Sequence, residues 1–185
     1  TRIADTRITD AVDDSRGSSL VFTGSQFGVA WYDRRDGADF KIYFSRISAE
    51  GVKEGSDVLV SSIKGLIPSM VWSGSEYGIS YQDGTGHFYR VSSSGSLVGT
   101  EITIGDGFFS YPSVAWTGSE YGVSCFGGGI HLLRLDPSGS FVGSSLPVPN
   151  IGSVSFPSLV WTGSEYGVSW QSARDGNFEI YFATL

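Results

Sequence analysis

A ten-residue stretch, WTGSEYGVSW at 161–170, is written nearly four times in this chain. The other copies are WTGSEYGVSC at 116–125, WSGSEYGISY at 72–81 and the more diverged FTGSQFGVAW at 22–31. Aligned on Phe22, Trp72, Trp116 and Trp161, they recur at intervals of 50, 44 and 45 residues. Such a period restricts the chain to architectures that stack one supersecondary unit on its neighbours. Helical repeats of this length place apolar residues three and four apart, whereas here they alternate. In YGVSW, Tyr166, Val168 and Trp170 share one strand face while Gly167 and Ser169 share the other. A strand that is bulky on one face and small on the other suits sheets stacked face to face.

Each unit reads as four short strands. In the first they are SLVF (19–22), FGVAWY (27–32), FKIYFSRI (40–47) and DVLVSS (57–62). The first turn places Gly24, Gly74, Gly118 and Gly163 where a tight turn needs positive φ. Four-stranded antiparallel units of about 45 residues are the signature of β-propeller blades. The expected fold is therefore all-β, a single four-bladed propeller over 1–185. Its blades are expected at 19–62, 69–105, 113–149 and 158–185. The last lacks a fourth strand, and DTRITD (5–10) reads as a surplus one. The expectation is that residues 5–10 complete the last blade and close the ring. The closed strand count favours a monomeric ring over a swapped dimer.

With 26 Gly and 14% aromatic residues, the composition fits tight turns and wide wedges filled by rings. The net charge of −7 argues against nucleic-acid partners, and no apolar run is long enough for membrane insertion. Cys125 is the sole cysteine. It takes the place of Trp31, Tyr81 and Trp170, which reads as packing.

The pattern W-[TS]-G-S-E-Y-G-[VI]-S-W followed by RDGNFEIYF resembles the repeats of secreted or surface bacterial β-propeller proteins. That resemblance covers almost the whole chain and implies an extracellular or cell-surface setting. Site candidates follow from the expected geometry. The long second hairpins of units one and four would bring Asp33, Arg35, Asp36, Arg174 and Asp175 to one propeller face as a ligand site. Ser19, Ser69, Ser113 and Ser158, three residues before each anchor aromatic, would ring the central channel. His87 and His131 read as polar decoration of a strand. No metal site, cofactor or catalytic set is expected. The expected function is a non-catalytic binding or scaffold module for a carbohydrate or protein partner. The alternatives are a propeller-type glycoside hydrolase or lyase, and a purely structural repeat domain.

Overall fold

A computed structural model describes residues 5–148 and 153–185. Unit 1 is a four-stranded antiparallel sheet of β1 (Arg16–Phe22), β2 (Gln26–Asp33), β3 (Lys41–Ser48) and β4 (Lys53–Leu59). Units 2 and 3 share one long strand. β5 (Leu66–Trp72), β6 (Glu76–Gln82) and β7 (Gly84–Ser92) lead into β8 (Leu97–Trp116). The second half of β8 then opens unit 3, which continues through β9 (Tyr121–Phe126), β10 (Ile130–Leu135) and β11 (Leu146–Pro147). Unit 4 has three strands, β12 (Val154–Trp161), β13 (Tyr166–Ser172) and β14 (Glu179–Thr184). The end of unit 3 at residue 149 lies outside the described residues.

The repeated turn has one geometry in all four units. Thr23 Oγ1 accepts the Gln26 amide at 3.1 Å, while the Thr23 amide donates to the Gln26 carbonyl at 2.9 Å. Gly24 turns the chain at φ 100°, and Gly74, Gly118 and Gly163 do so at 98°, 100° and 105°. The first strand of every unit carries a bulge at its start, with Gly17, Ile67, Tyr111 or Phe156 at φ 51–58°. Three of these precede a proline, so a left-handed residue recurs where each inner strand begins. For the β-branched Ile67 that conformation costs about 1–2 kcal/mol.

Stacking between units repeats as regularly as the sequence does. The Ser19 hydroxyl accepts the amide of Met70 in the next unit at 3.0 Å, Ser69 accepts Val114 at 3.1 Å, and Ser113 accepts Leu159 at 3.0 Å. These serines therefore staple each inner strand to the following one. Ser113→Ala is expected to lower stability by about 1 kcal/mol in denaturant melts. Ser158→Ala, whose hydroxyl faces no following unit, is expected to change it by less than about 0.5 kcal/mol.

The second device is a ring over a glycine. A Cβ on Gly78 would lie 2.6 Å from Tyr121 Cε1, so only glycine lets that ring settle there. Tyr77 covers Gly28 and Tyr166 covers Gly122 in the same way. Each of these tyrosines also packs on the tryptophan of its own hairpin, with ring centroids 4.5–4.9 Å apart. The core is accordingly three clusters, one per contact between consecutive units.

Residues 5–10 depart from expectation. They form no strand and do not pair with β14, which is an edge strand. Instead they run beside unit 1, where Lys53 Nζ donates to the Ile8 carbonyl at 2.9 Å. Arg7 explains part of this. Its Nε bonds the Thr9 carbonyl at 2.8 Å and its guanidinium lies 3.5 Å from Asp10. The first is a local hydrogen bond and the second an exposed ion pair, and neither is a rung of a ladder. Sheet closure by this segment is therefore not present among the described residues.

Candidate functional site

In units 1, 2 and 4 the second strand carries a ring near its end, on the face away from the following unit, and the third strand places another opposite it. In unit 1 these are Trp31 and Tyr43, stacked with centroids 6.2 Å apart. A charged network packs on them. Trp31 Nε1 donates to Asp33 at 2.9 Å, and the Arg35 guanidinium forks onto Asp33 (Nη2–Oδ2 2.6 Å). Arg35 also reaches Asp57 at 2.6 Å and lies over the Tyr43 ring at 4.4 Å. Burial alone would raise the pKa of Asp33, but the hydrogen bonds from Arg35 and Trp31 outweigh it and hold the carboxyl low. Tyr43 donates to Asp36 at 2.5 Å, and burial followed by that carboxylate pushes its phenol upward.

Unit 2 builds the same device from other residues. His87 takes the register of Tyr43 and stacks on Tyr81 at 5.2 Å. Its Nε2 lies 3.0 Å from Asp83 and its Nδ1 2.9 Å from Glu101. This histidine is buried between two carboxylates, with its Nε2 in hydrogen-bond contact with Asp83, which corrects its reading as polar decoration of a strand. The available signal was positional: Asp83 precedes it by four residues, and Tyr81 faces it across the hairpin. In unit 4, Trp170 stacks on Tyr181, Arg174 sits 3.6 Å over that ring, and Asp175 accepts the Tyr181 hydroxyl at 2.5 Å.

The loop candidates thus fall in two groups. Asp33, Arg35 and Asp36 are tied into unit 1, whereas Arg174 and Asp175 stay on the surface, 3.5 Å apart. Among the described residues no hydrogen bond, ion pair or ring contact joins the two loops. In both, the glycine closes the turn: the Gly37 amide donates to Arg34 and the Gly176 amide to Ala173.

Unit 3 breaks the series. Cys125 replaces the ring, His131 stands opposite it, and the loop between them is reduced to Gly127–Gly129. No described carboxylate fills the space. A cleft of about 500 Å³ opens there between units 2 and 3. Its apolar wall is Ile104, Phe109, Leu133 and Phe141; Thr103, His131 and Ser145 supply polar groups, with His131 Nδ1 3.2 Å from Ser145 Oγ. Burial pushes the Cys125 thiol up to about 12. In the folded protein at pH 8 it is therefore expected to react with a thiol reagent far more slowly than in denaturant, where its pKa returns to about 8.5.

No family model matches the chain, and no curated protein matches it by sequence. Solved structures do match. An endo-arabinanase from Bacillus licheniformis aligns with 96% of this chain and 73% of its own, at 15% identity and TM-score 0.54. A thermostable family-43 glycoside hydrolase aligns with 95% and 72% of the two chains, at 13% identity and TM-score 0.62. A GH43_1 enzyme from Xanthomonas citri, complexed with xylotriose, aligns with 92% and 68%, at 14% identity and TM-score 0.57. These neighbours are five-bladed-type β-propeller glycoside hydrolases, and at this identity the likeness concerns the fold: this chain is an all-β protein of β-propeller type.

Proposed function

We propose that the chain is a carbohydrate-active propeller that takes a sugar ring into the cleft at Cys125. The observation that carries this reading is the break in the repeat. Units 1, 2 and 4 fill one position with rings and charges, and unit 3 empties it on a fold shared with glycan-cleaving enzymes. About 500 Å³ lies within the range of ordinary small-molecule sites. The exposed Phe141 ring offers apolar surface to a sugar face, while His131, Ser145 and Thr103 suit its hydroxyls. Arg174 and Asp175, exposed on unit 4, extend the proposal to loop contacts, and four blades in an arc are its scaffold. An extracellular or cell-surface setting belongs to the same proposal.

The neighbours favour the glycoside-hydrolase alternative over a non-catalytic module. Hydrolysis requires two carboxyls facing the glycan, about 5–5.5 Å apart for retention or 6.5–9.5 Å for inversion. In the described lining of the cleft there is none, and Asp33, Asp57, Asp83 and Glu101 are engaged by Arg35 or His87. The cleft residues support holding a sugar, and the neighbours support cutting one.

One experiment separates these. The protein is titrated with arabino- and xylo-oligosaccharides by calorimetry, and new reducing ends are assayed in the same mixtures. Saturable heat without new ends makes it a binding module; new ends at a protein-dependent rate make it a hydrolase. Cys125→Trp, which restores the residue type of units 1 and 4, is expected to weaken binding at least ~10-fold, about 1.4 kcal/mol, with the fold intact. Unchanged affinity in that variant would place the sugar elsewhere.

A further inference from the structure

The stacking devices described above reach the two ends of the series unmatched. On unit 4, Phe182 is 67% exposed, whereas its counterparts Phe44, Phe88 and Leu132 are 0%, 0% and 1% exposed beneath the next unit. Beside it Val160 is uncovered, and among the described residues no tyrosine lies over Gly167 and no amide reaches Ser158. On unit 1 the opposite half of the same contact is open at Leu20, with Ile8 and Thr9 near Val29 and Trp31. Leu20 is 63% exposed, while Met70, Val114 and Leu159 at its position are 7–8% exposed. Phe27 stands where Tyr77, Tyr121 and Tyr166 insert.

We propose that the outer face of unit 4 docks head to tail onto the first face of unit 1 in a second copy of the chain. The argument is continuity with an interface that the molecule already forms three times. The donor and acceptor halves are complementary: the Leu20 amide for the Ser158 hydroxyl, the Phe27 ring for the glycine pit at Gly167, and Leu20 for the apolar surface of Phe182 and Val160. Residues 5–10 lie beside Lys53 and leave Leu20 and Phe22 uncovered. Two features make this contact weaker than the internal ones. Phe27 has no hydroxyl to give Glu165, as Tyr166 gives Glu120 at 3.1 Å. Thr184 replaces the arginine that in unit 2 reaches forward, Arg90 to the Pro137 carbonyl at 3.0 Å. The association is accordingly reversible and heterologous, so it builds open chains unless the rotation closes a ring.

The test is sedimentation velocity across a rising protein concentration, with two charge variants on exposed positions. The wild type is expected to gain mass with concentration. Leu20→Lys and Phe182→Lys are each expected to remain monomeric, with melting curves matching the wild type. Mixed together, they retain one good face each and are expected to form a two-chain species and nothing larger. A wild type that stays monomeric throughout overturns the proposal. So does self-association of Leu20→Lys alone, which would mean unit 4 pairing with unit 4, and so does a mixture that fails to recover the pair.

Discussion

Asp33→Ala is expected to destabilise the protein by about 3–5 kcal/mol, read as a lower denaturant midpoint at constant slope. Asp33 is fully buried and is bound on three sides, by the Trp31 indole and by the Nε and Nη2 atoms of Arg35. Removing it strands an indole donor and most of a guanidinium against two aromatic rings, with only Asp57 left as a counter-ion. The sign of the pH dependence follows from the depressed carboxyl. Its contribution is fully present above the unfolded value of about 3.9 and disappears as pH falls through the lower folded value. The gap between wild type and variant is therefore expected to be constant from neutral pH down to about pH 4, and to narrow only below that. Asp175→Ala is the control. Its side chain is 69% exposed, so a change within about 0.5 kcal/mol is expected. If both variants fell by the same amount, the turn geometry shared by the two loops would be responsible, not the buried network.

The contrast between these two aspartates shows where sequence stops being informative. Both sit in an Arg-Asp-Gly hairpin beside a tyrosine, yet Asp33 precedes that motif in unit 1 while Gln171 and Ser172 stand near the equivalent place in unit 4. What buries one network and leaves the other open is the fourth strand: Asp57 of β4 completes the cage in unit 1, and among the described residues unit 4 has no such strand. The repeat, its strands and its turn glycines were legible because each depends on neighbours in sequence. The role of Ser19, Ser69 and Ser113 was half legible. Their position on the inner strand follows from spacing, but their partner is an amide about 45–51 residues away, reached only once units stack. The destination of residues 5–10 was not legible. A strand-like segment states that it needs an edge, and Lys53 rather than β14 decides where it lies. The cleft was visible as two separate oddities, Cys125 for an aromatic and three glycines for a loop. Only the register that sets Cys125 against His131 joins them.

The largest effect in the stacking itself is expected at Tyr121. Its ring is 1% exposed, wedged between Phe88 at 4.9 Å and Trp116 at 4.5 Å and lying over Gly78. Tyr121→Ala removes the body that joins units 2 and 3 and leaves a void that a sheet-on-sheet contact closes poorly, so a loss of about 3–5 kcal/mol is expected. Phe27→Ala deletes the equivalent ring where no preceding unit covers it, and about 1 kcal/mol is expected. The glycine gives an independent handle on the same contact. Gly78→Ala puts a methyl 2.6 Å from Tyr121 Cε1 and 2.9 Å from Phe88 Cζ, an overpacking expected to cost about 1–3 kcal/mol. Once Tyr121 is gone that methyl gains room. The double variant is therefore expected to be less damaged than the sum of the singles by at least about 1 kcal/mol. Additive losses would mean that the glycine answers to Phe88 within its own sheet. A clear positive coupling would establish that the small face of each unit exists for the ring of the next.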